Sequence, residues 1–156
     1  MKTLKPWSVL LTALALLAVG CANFEAKTPQ NFVVLEEDRS QYDYRATSAK
    51  GIVLAVREIA NDPKGELDFW SEAIENSLLN NGGYALLKKD EVTTRQGHKG
   101  VRLRLGLDNN DKPHEYTVAV FVTDDHVFLV QVGGEKTLLE KNAETIDGWV
   151  NGFEIN

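Results

Sequence analysis

The side chains able to move protons, attack carbonyls or hold metals are few in this chain and widely scattered. His98, His114 and His126 show none of the short spacings of a zinc pair, and each lies in or beside a run of turn residues. They are expected to be solvated loop histidines, with no metal site. Ser40, Ser48, Ser71 and Ser77 lie in no Gly-x-Ser-x-Gly elbow, so no strained turn presents a serine nucleophile. Asp108-Asn109-Asn110-Asp111 is rich in oxygen but lacks the glycine and distant glutamate of a calcium loop, and reads as a turn. Asp124-Asp125 reads as a hairpin turn and Glu36-Glu37-Asp38 as a solvated edge. Gln96-Gly97-His98-Lys99-Gly100 carries two glycines and a base but joins two strands, whereas a phosphate cradle needs a following helix N-terminus. Arg102 and Arg104 share one face of a strand. Facing acidic neighbours they form an ordinary surface; left free they form a docking patch for an acidic partner. No catalytic set and no cofactor site assembles from these residues, so the expectation is a protein that is not an enzyme.

The one sharp chemical signal is at the start of the chain. Lys2 and Lys5 form a short positive region, and Trp7 to Gly20 then runs without a charge. That run of about 14 residues is too short for a relaxed helix to cross a ~30 Å hydrocarbon core. It has the length of a signal-peptide apolar region. It ends in Ala18-Val19-Gly20-Cys21, which resembles the lipobox of bacterial lipoproteins, with Ala18 where that family most often has Leu. The resemblance implies cleavage between Gly20 and Cys21, diacylglycerol on the Cys21 thiol, and two or three acyl chains such as palmitate on the mature N-terminus. A single chain anchors only marginally, so two or three make attachment effectively permanent. Cys21 is the only cysteine, which leaves the folded part without disulfides or a catalytic thiol.

Composition agrees with an envelope domain. Hydrophobic residues make up 43% and charged residues 26% of the 156, the balance of one globular domain. The formal charge is −6, and without residues 1–20 the balance is 15 basic against 23 acidic side chains. Such a domain repels phosphate backbones, so nucleic acid is not an expected partner. It also lacks the polybasic face that would hold it to anionic lipid, which leaves the lipid as the means of attachment.

The elements that must position these side chains alternate between strand and helix patterns. Residues 21–31 read as a lipid-anchored tether of at most ~35 Å, and residues 32–156 as a single domain. Phe32 to Leu35, Tyr42 to Ala46 and Gly51 to Ile59 read as strands. Leu67, Trp70, Ile74 and Leu78 recur at helical spacing and stop at Asn80-Asn81-Gly82-Gly83. Tyr84 to Lys89 and Val92 to Thr94 read as one bent strand, and Val101, Leu103, Leu105 and Leu107 alternate with the two arginines. Asp108 to Pro113 reads as a polar turn. Tyr116 to Val122 and Val127 to Val132 flank Asp124-Asp125 as a tight hairpin, apolar on both faces and therefore central. Leu139, Ala143, Ile146, Val150 and Phe153, widened by Trp149, make the stripe of one last helix after Gly133-Gly134. About seven strands and two helices, joined by short turns, predict an α+β fold: a mostly antiparallel sheet with packed helices.

The strand Ile52 to Ile59, the helix around Phe69-Trp70-Ser71-Glu72-Ala73-Ile74, and Gly100-Val101-Arg102-Leu103 opening a strand resemble the family of small sandwiches that includes PsbP and the bacterial lipoprotein DcrB. So do the paired apolar strands and Gly133-Gly134-Glu135 before the last helix. The resemblance covers roughly Phe32 to Phe153. It implies a binding or assembly factor rather than an enzyme, and it carries over no functional residue.

Three functions follow as expectations. The first is a membrane-anchored envelope lipoprotein acting as a non-enzymatic binding or assembly module, with an envelope protein as partner. In a Gram-negative cell, Ala22 after the cysteine places it on the outer membrane facing the periplasm. The second is a carrier of a small apolar ligand, with a cavity lined by Trp70, Phe121, Phe128 and Trp149. The third is a hydrolase, which requires a histidine or serine to meet a carboxylate in one cleft.

Overall fold

The computed structural model describes residues 22–36, 41–109 and 112–156. The expectations for Gly20, Cys21, Ser40, Glu37, Asp38, Asn110 and Asp111 lie outside those residues. The described elements are β1 (Phe24–Glu25), β2 (Phe32–Val34), β3 (Tyr44–Ser48), β4 (Val53–Ala60), α1 (Leu67–Asn81), β5 (Ala85–Thr93) and β6 (Lys99–Asn109). They continue with β7 (Lys112–Val122), β8 (His126–Glu135), α2 (Lys136–Lys141), α3 (Ala143–Asn151) and β9 (Glu154–Ile155). Seven strands form one sheet in the order β2-β3-β4-β8-β7-β6-β5, and β1 pairs with β9 separately. Every pairing is antiparallel. This is the expected α+β architecture.

Alternation along the strands builds two cores on opposite sheet faces. Leu103, Leu105, Val118, Val120 and Val127 lie on one face beneath Leu67, Trp70, Ile74 and Leu78 of α1. Ala119, Phe121, Phe128, Val130 and Val132 lie on the other, beneath Leu139 of α2 and Trp149 and Val150 of α3. The hairpin β7–β8 is apolar on both faces because both are covered. Each fully buried Phe or Val contributes ~1.5–3 kcal/mol, and Phe121, Phe128 and Phe153 are all at most 1% exposed. Gly100 allows β6 to pass Phe121. A Cβ there would lie 2.6 Å from that ring and from the Val120 carbonyl. After α1, Gly83 takes φ 68°, a left-handed turn out of the helix that side chains disfavour.

Three features depart from the sequence reading. Residues 22–31 are not a free tether. Phe24 pairs with Ile155, and its ring lies 5.5 Å from that of Phe153 and 6.1 Å from that of Phe128. Its apolar surface has a place in the core that a composition of small and polar residues conceals. The last helix is two: α2 ends at Asn142, whose φ of −115° is not helical and whose amide donates to the Leu138 carbonyl at 2.8 Å. Phe153 lies beyond α3, and Ala143 is exposed. Gly133 and Gly134 do precede the helices, as residues near the end of β8 that pair with Tyr116 and Glu115. The polar turn is shorter than expected, because β6 runs to Asn109 and β7 starts at Lys112.

Candidate functional site

Strand period places Asp90, Arg102 and Ala119 in one row across β5, β6 and β7, on the face that α3 covers. Arg102 is half-buried there and engaged on both sides. Its Nη2 and Nε donate to the Asp90 carboxylate at 2.6 and 3.3 Å, and its Nη1 to Asp147 of α3 at 2.9 Å. This fork holds the Asp90 carboxyl below the usual carboxylate range, against the opposing effect of burial. The same contacts push the Arg102 guanidinium up. Arg102 thus fastens the helical layer to the edge of the sheet.

Arg104 is held more loosely. Its Nη2 donates to both oxygens of Glu115 at 3.3 and 3.4 Å. The Glu115 side chain is only 6% exposed, while that of Arg104 is 39% exposed. A guanidinium has five donors in a planar fork, and in Arg104 only those of Nη2 are engaged by Glu115. The two arginines, Glu115 and the apolar wall of Leu139, Ile146 and Val150 enclose a groove of about 230 Å³. Glu115 also borders a second recess of about 530 Å³, lined by Leu87, Leu107, Pro113 and Lys136. That recess reaches the open edge of the sheet, where Leu86 and Leu87 are 37% and 53% exposed. A bulge between Leu86 and Lys88 lays Leu87 over Gly106. The combined surface offers planar donors, a carboxylate and apolar side chains.

The other residues singled out in sequence do not gather here. His114 Nδ1 lies 3.1 Å from the Lys112 carbonyl, and His98 is in the loop between β5 and β6. His126, expected as a solvated loop residue, instead opens β8 and meets a carboxylate of the neighbouring β4, its Nε2 lying 3.2 Å from Glu58 Oε1, an oxygen that also accepts from Asn23 at 2.5 Å. No described serine joins them. Ser48 accepts from the Ile52 amide, Ser71 donates to the Asp68 carbonyl inside α1, and Ser77 is exposed on α1. Among the described residues no group of three or more His, Cys, Asp or Glu side chains is placed to hold a metal. The cavity expected among Trp70, Phe121, Phe128 and Trp149 does not exist. Trp70 packs on the α1 face and the other three on the opposite one, with the sheet between them.

Sequence reasoning missed two clusters. Asn61 is 8% exposed and ties Gly65, Trp70 and Thr123 together. The Glu58–His126–Asn23 cluster joins residues far apart in sequence, and no local spacing announces it. For the edge of β5 the signal was present: two adjacent leucines beside a strand that changes direction.

The chain matches no sequence family model and no curated protein. Its fold, however, recurs among solved structures. LpqN of Mycobacterium tuberculosis, described as involved in cell envelope biogenesis, aligns with a TM-score of 0.67 at 10% identity, over 85% of this chain and 83% of that one. CyanoP, the cyanobacterial PsbP of Synechocystis sp. PCC 6803, aligns with a TM-score of 0.57 at 10% identity, over 86% and 87%. PA94 of Pseudomonas aeruginosa, of unknown function, aligns at 0.52 and 13% identity, over 81% and 84%. At such identities the likeness is one of fold: this chain has a PsbP-like sandwich. None of the three is described as an enzyme.

Proposed function

We propose that the chain is a lipid-anchored envelope protein whose domain binds or supports another envelope protein and catalyses no reaction. The observation that carries this is the run from Trp7 to Gly20 ending on the only cysteine, Cys21, directly before Ala22, where the described domain begins. The fold supports it, being shared with an envelope-biogenesis protein and with PsbP. So does the combined groove and edge. Arg104 suits an acidic side chain of the partner, and Leu87 suits apolar ones. In a double-membraned cell, Ala22 after the cysteine favours the outer membrane, with the domain in the periplasm.

The test has two arms. Mass spectrometry of the mature N-terminus should find lipid on Cys21, and Cys21→Ser should abolish it, since a hydroxyl is a far poorer nucleophile than a thiolate. A photo-crosslinking residue at Leu87 should trap one envelope protein in intact cells, and the same residue at exposed Glu72 of α1 should not. A wild-type N-terminus without lipid removes the anchor. Equal trapping from Leu87 and Glu72 removes the docking surface.

A further inference from the structure

The lipid on Cys21 would have almost no slack. Ala22, the next residue, is already part of the fold: its carbonyl accepts from the side chain of Asn156 at 3.0 Å. The Asn23 carbonyl accepts from the Asn156 amide at 2.9 Å, and the Asn23 side chain donates to Glu58. Phe24 follows at once into the core beside Phe128 and Phe153. Consecutive Cα atoms are ~3.8 Å apart, so the lipidated residue lies within one residue of a point fixed by hydrogen bonds and buried aromatic surface.

We infer from this that the chain rides directly on the bilayer with one end of its sheet held against the headgroups. This rests on the anchor proposed above and adds to it an orientation and a contact surface. The end is defined by strand direction. The turn Thr123 to Asp125 between β7 and β8 is there, with Asn23, Ile155 and Asn156 around one recess of about 320 Å³. The loop carrying Gln96 is tied to the same end, its side chain accepting from the Ile155 amide at 2.9 Å. β7 is 11 residues long, which at ~3.4 Å per residue sets the opposite end ~35 Å further out. Pro113 and the turn at Lys50 lie at that far end, and the recess beside Leu87 opens there. A free ten-residue tether would let the domain tumble and present every face in turn. The pinned N-terminus instead turns the docking surface away from the membrane.

The lipidated full-length chain tests this in phosphatidylcholine vesicles doped with a headgroup-nitroxide phosphatidylcholine. With Cys21 blocked by lipid, Asp125→Cys or Lys50→Cys supplies the only free thiol for a bimane fluorophore. Both side chains are exposed. The label at 125 should lose most of its emission to the nitroxide and the label at 50 almost none. A ten-residue Gly-Ser insertion between Ala22 and Asn23 should abolish the difference while lipidation persists. Equal quenching at both positions in a chain whose lipid is confirmed by mass overturns the orientation and leaves the anchor standing. A chain with no lipid overturns the anchor itself.

Discussion

Replacing Asn61 tests whether one amide side chain holds the end of the sheet to the start of α1. Asn61 Oδ1 accepts from the Gly65 amide at 2.9 Å and from the Trp70 indole N–H at 2.7 Å. Its Nδ2 donates to the Thr123 carbonyl at 2.9 Å and the Gly65 carbonyl at 3.2 Å. Asn61→Ala therefore strands two donors and one well-placed acceptor. A buried group left without a partner costs ~1–3 kcal/mol. The low end applies here, because a recess of about 300 Å³ bordered by Asn61, Gly65 and Thr123 admits water. Three groups at ~1 kcal/mol each give a loss of ~3 kcal/mol, or a fall in Tm of ~10 °C for a domain of this size. Asn61→Asp should cost about as much, since it keeps the acceptor but turns a second oxygen toward the Thr123 carbonyl. Trp70→Phe removes one donor and leaves Asn61 bonded to Gly65, for ~1 kcal/mol. Combined with Asn61→Ala it should add little, a coupling of ~1 kcal/mol. Urea unfolding followed by far-UV circular dichroism measures the four variants against the wild type. A loss below ~0.5 kcal/mol for Asn61→Ala, or full additivity with Trp70→Phe, would refute the reasoning.

Three further outcomes are expected. Phe24→Ala should cost ~2 kcal/mol, less than a fully buried Phe because the ring is only half-buried, whereas a tether residue would cost nothing measurable in the same unfolding assay. Acidification should weaken the Arg102 fork. The folded Asp90 carboxyl titrates below its ordinary value, so its stabilisation is present above the usual carboxylate range and is lost as pH falls through the lowered value. Asp90→Asn should accordingly flatten the acid limb of the urea midpoint against pH. Trp149→Phe should change stability by less than ~1 kcal/mol while Trp149→Ala costs ~3–5, because the indole N–H is buried without an acceptor among the described residues and its loss leaves nothing stranded.

What was legible in the sequence followed from period. Val101, Leu103 and Leu105 alternating with Arg102 and Arg104 give a strand with one apolar face, and Leu67, Trp70, Ile74 and Leu78 give one helical stripe. Both are local patterns. The apolar doubling of β7 and β8 told of cover on two sides, and α1 on one face with α2 and α3 on the other provide it. What stayed hidden depended on partners distant in the chain. Phe24 looks solitary until Phe128 and Phe153 come beside it, and Glu58 meets His126 only because β4 and β8 are neighbours. The break at Asn142 escaped because the apolar stripe continues across it, and periodicity records the stripe and not the hydrogen bonds. The aromatic cavity failed for a different reason. Helical and strand periods do not say which side of the sheet a helix covers, and Trp70 falls on the side opposite Phe121, Phe128 and Trp149.

The edge strand β5 runs between the proposed anchored end and the proposed docking surface. An open edge invites pairing with other chains, and charged side chains are the usual guard against it. Lys88, Lys89, Asp90 and Glu91 guard the half of β5 toward the anchored end. Lys89 bonds to Glu75 at 2.8 Å, and Asp90 is held by Arg102. Ala85, Leu86 and Leu87, the half remote from the anchor, have no such guard, and the bulge there turns Leu87 outward beside the groove of Arg104. On a protein held as proposed, such an apolar edge would be exposed only to what approaches from the far side. In the orientation proposed above, Phe24 and Asn156 would therefore decide which molecules meet that edge. Lengthening the link between lipid and fold should weaken partner capture at Leu87 without altering the edge itself, and crosslinking yield from Leu87 in cells carrying the Gly-Ser insertion measures that. An unchanged yield would mean that the edge finds its partner without help from the anchor's geometry.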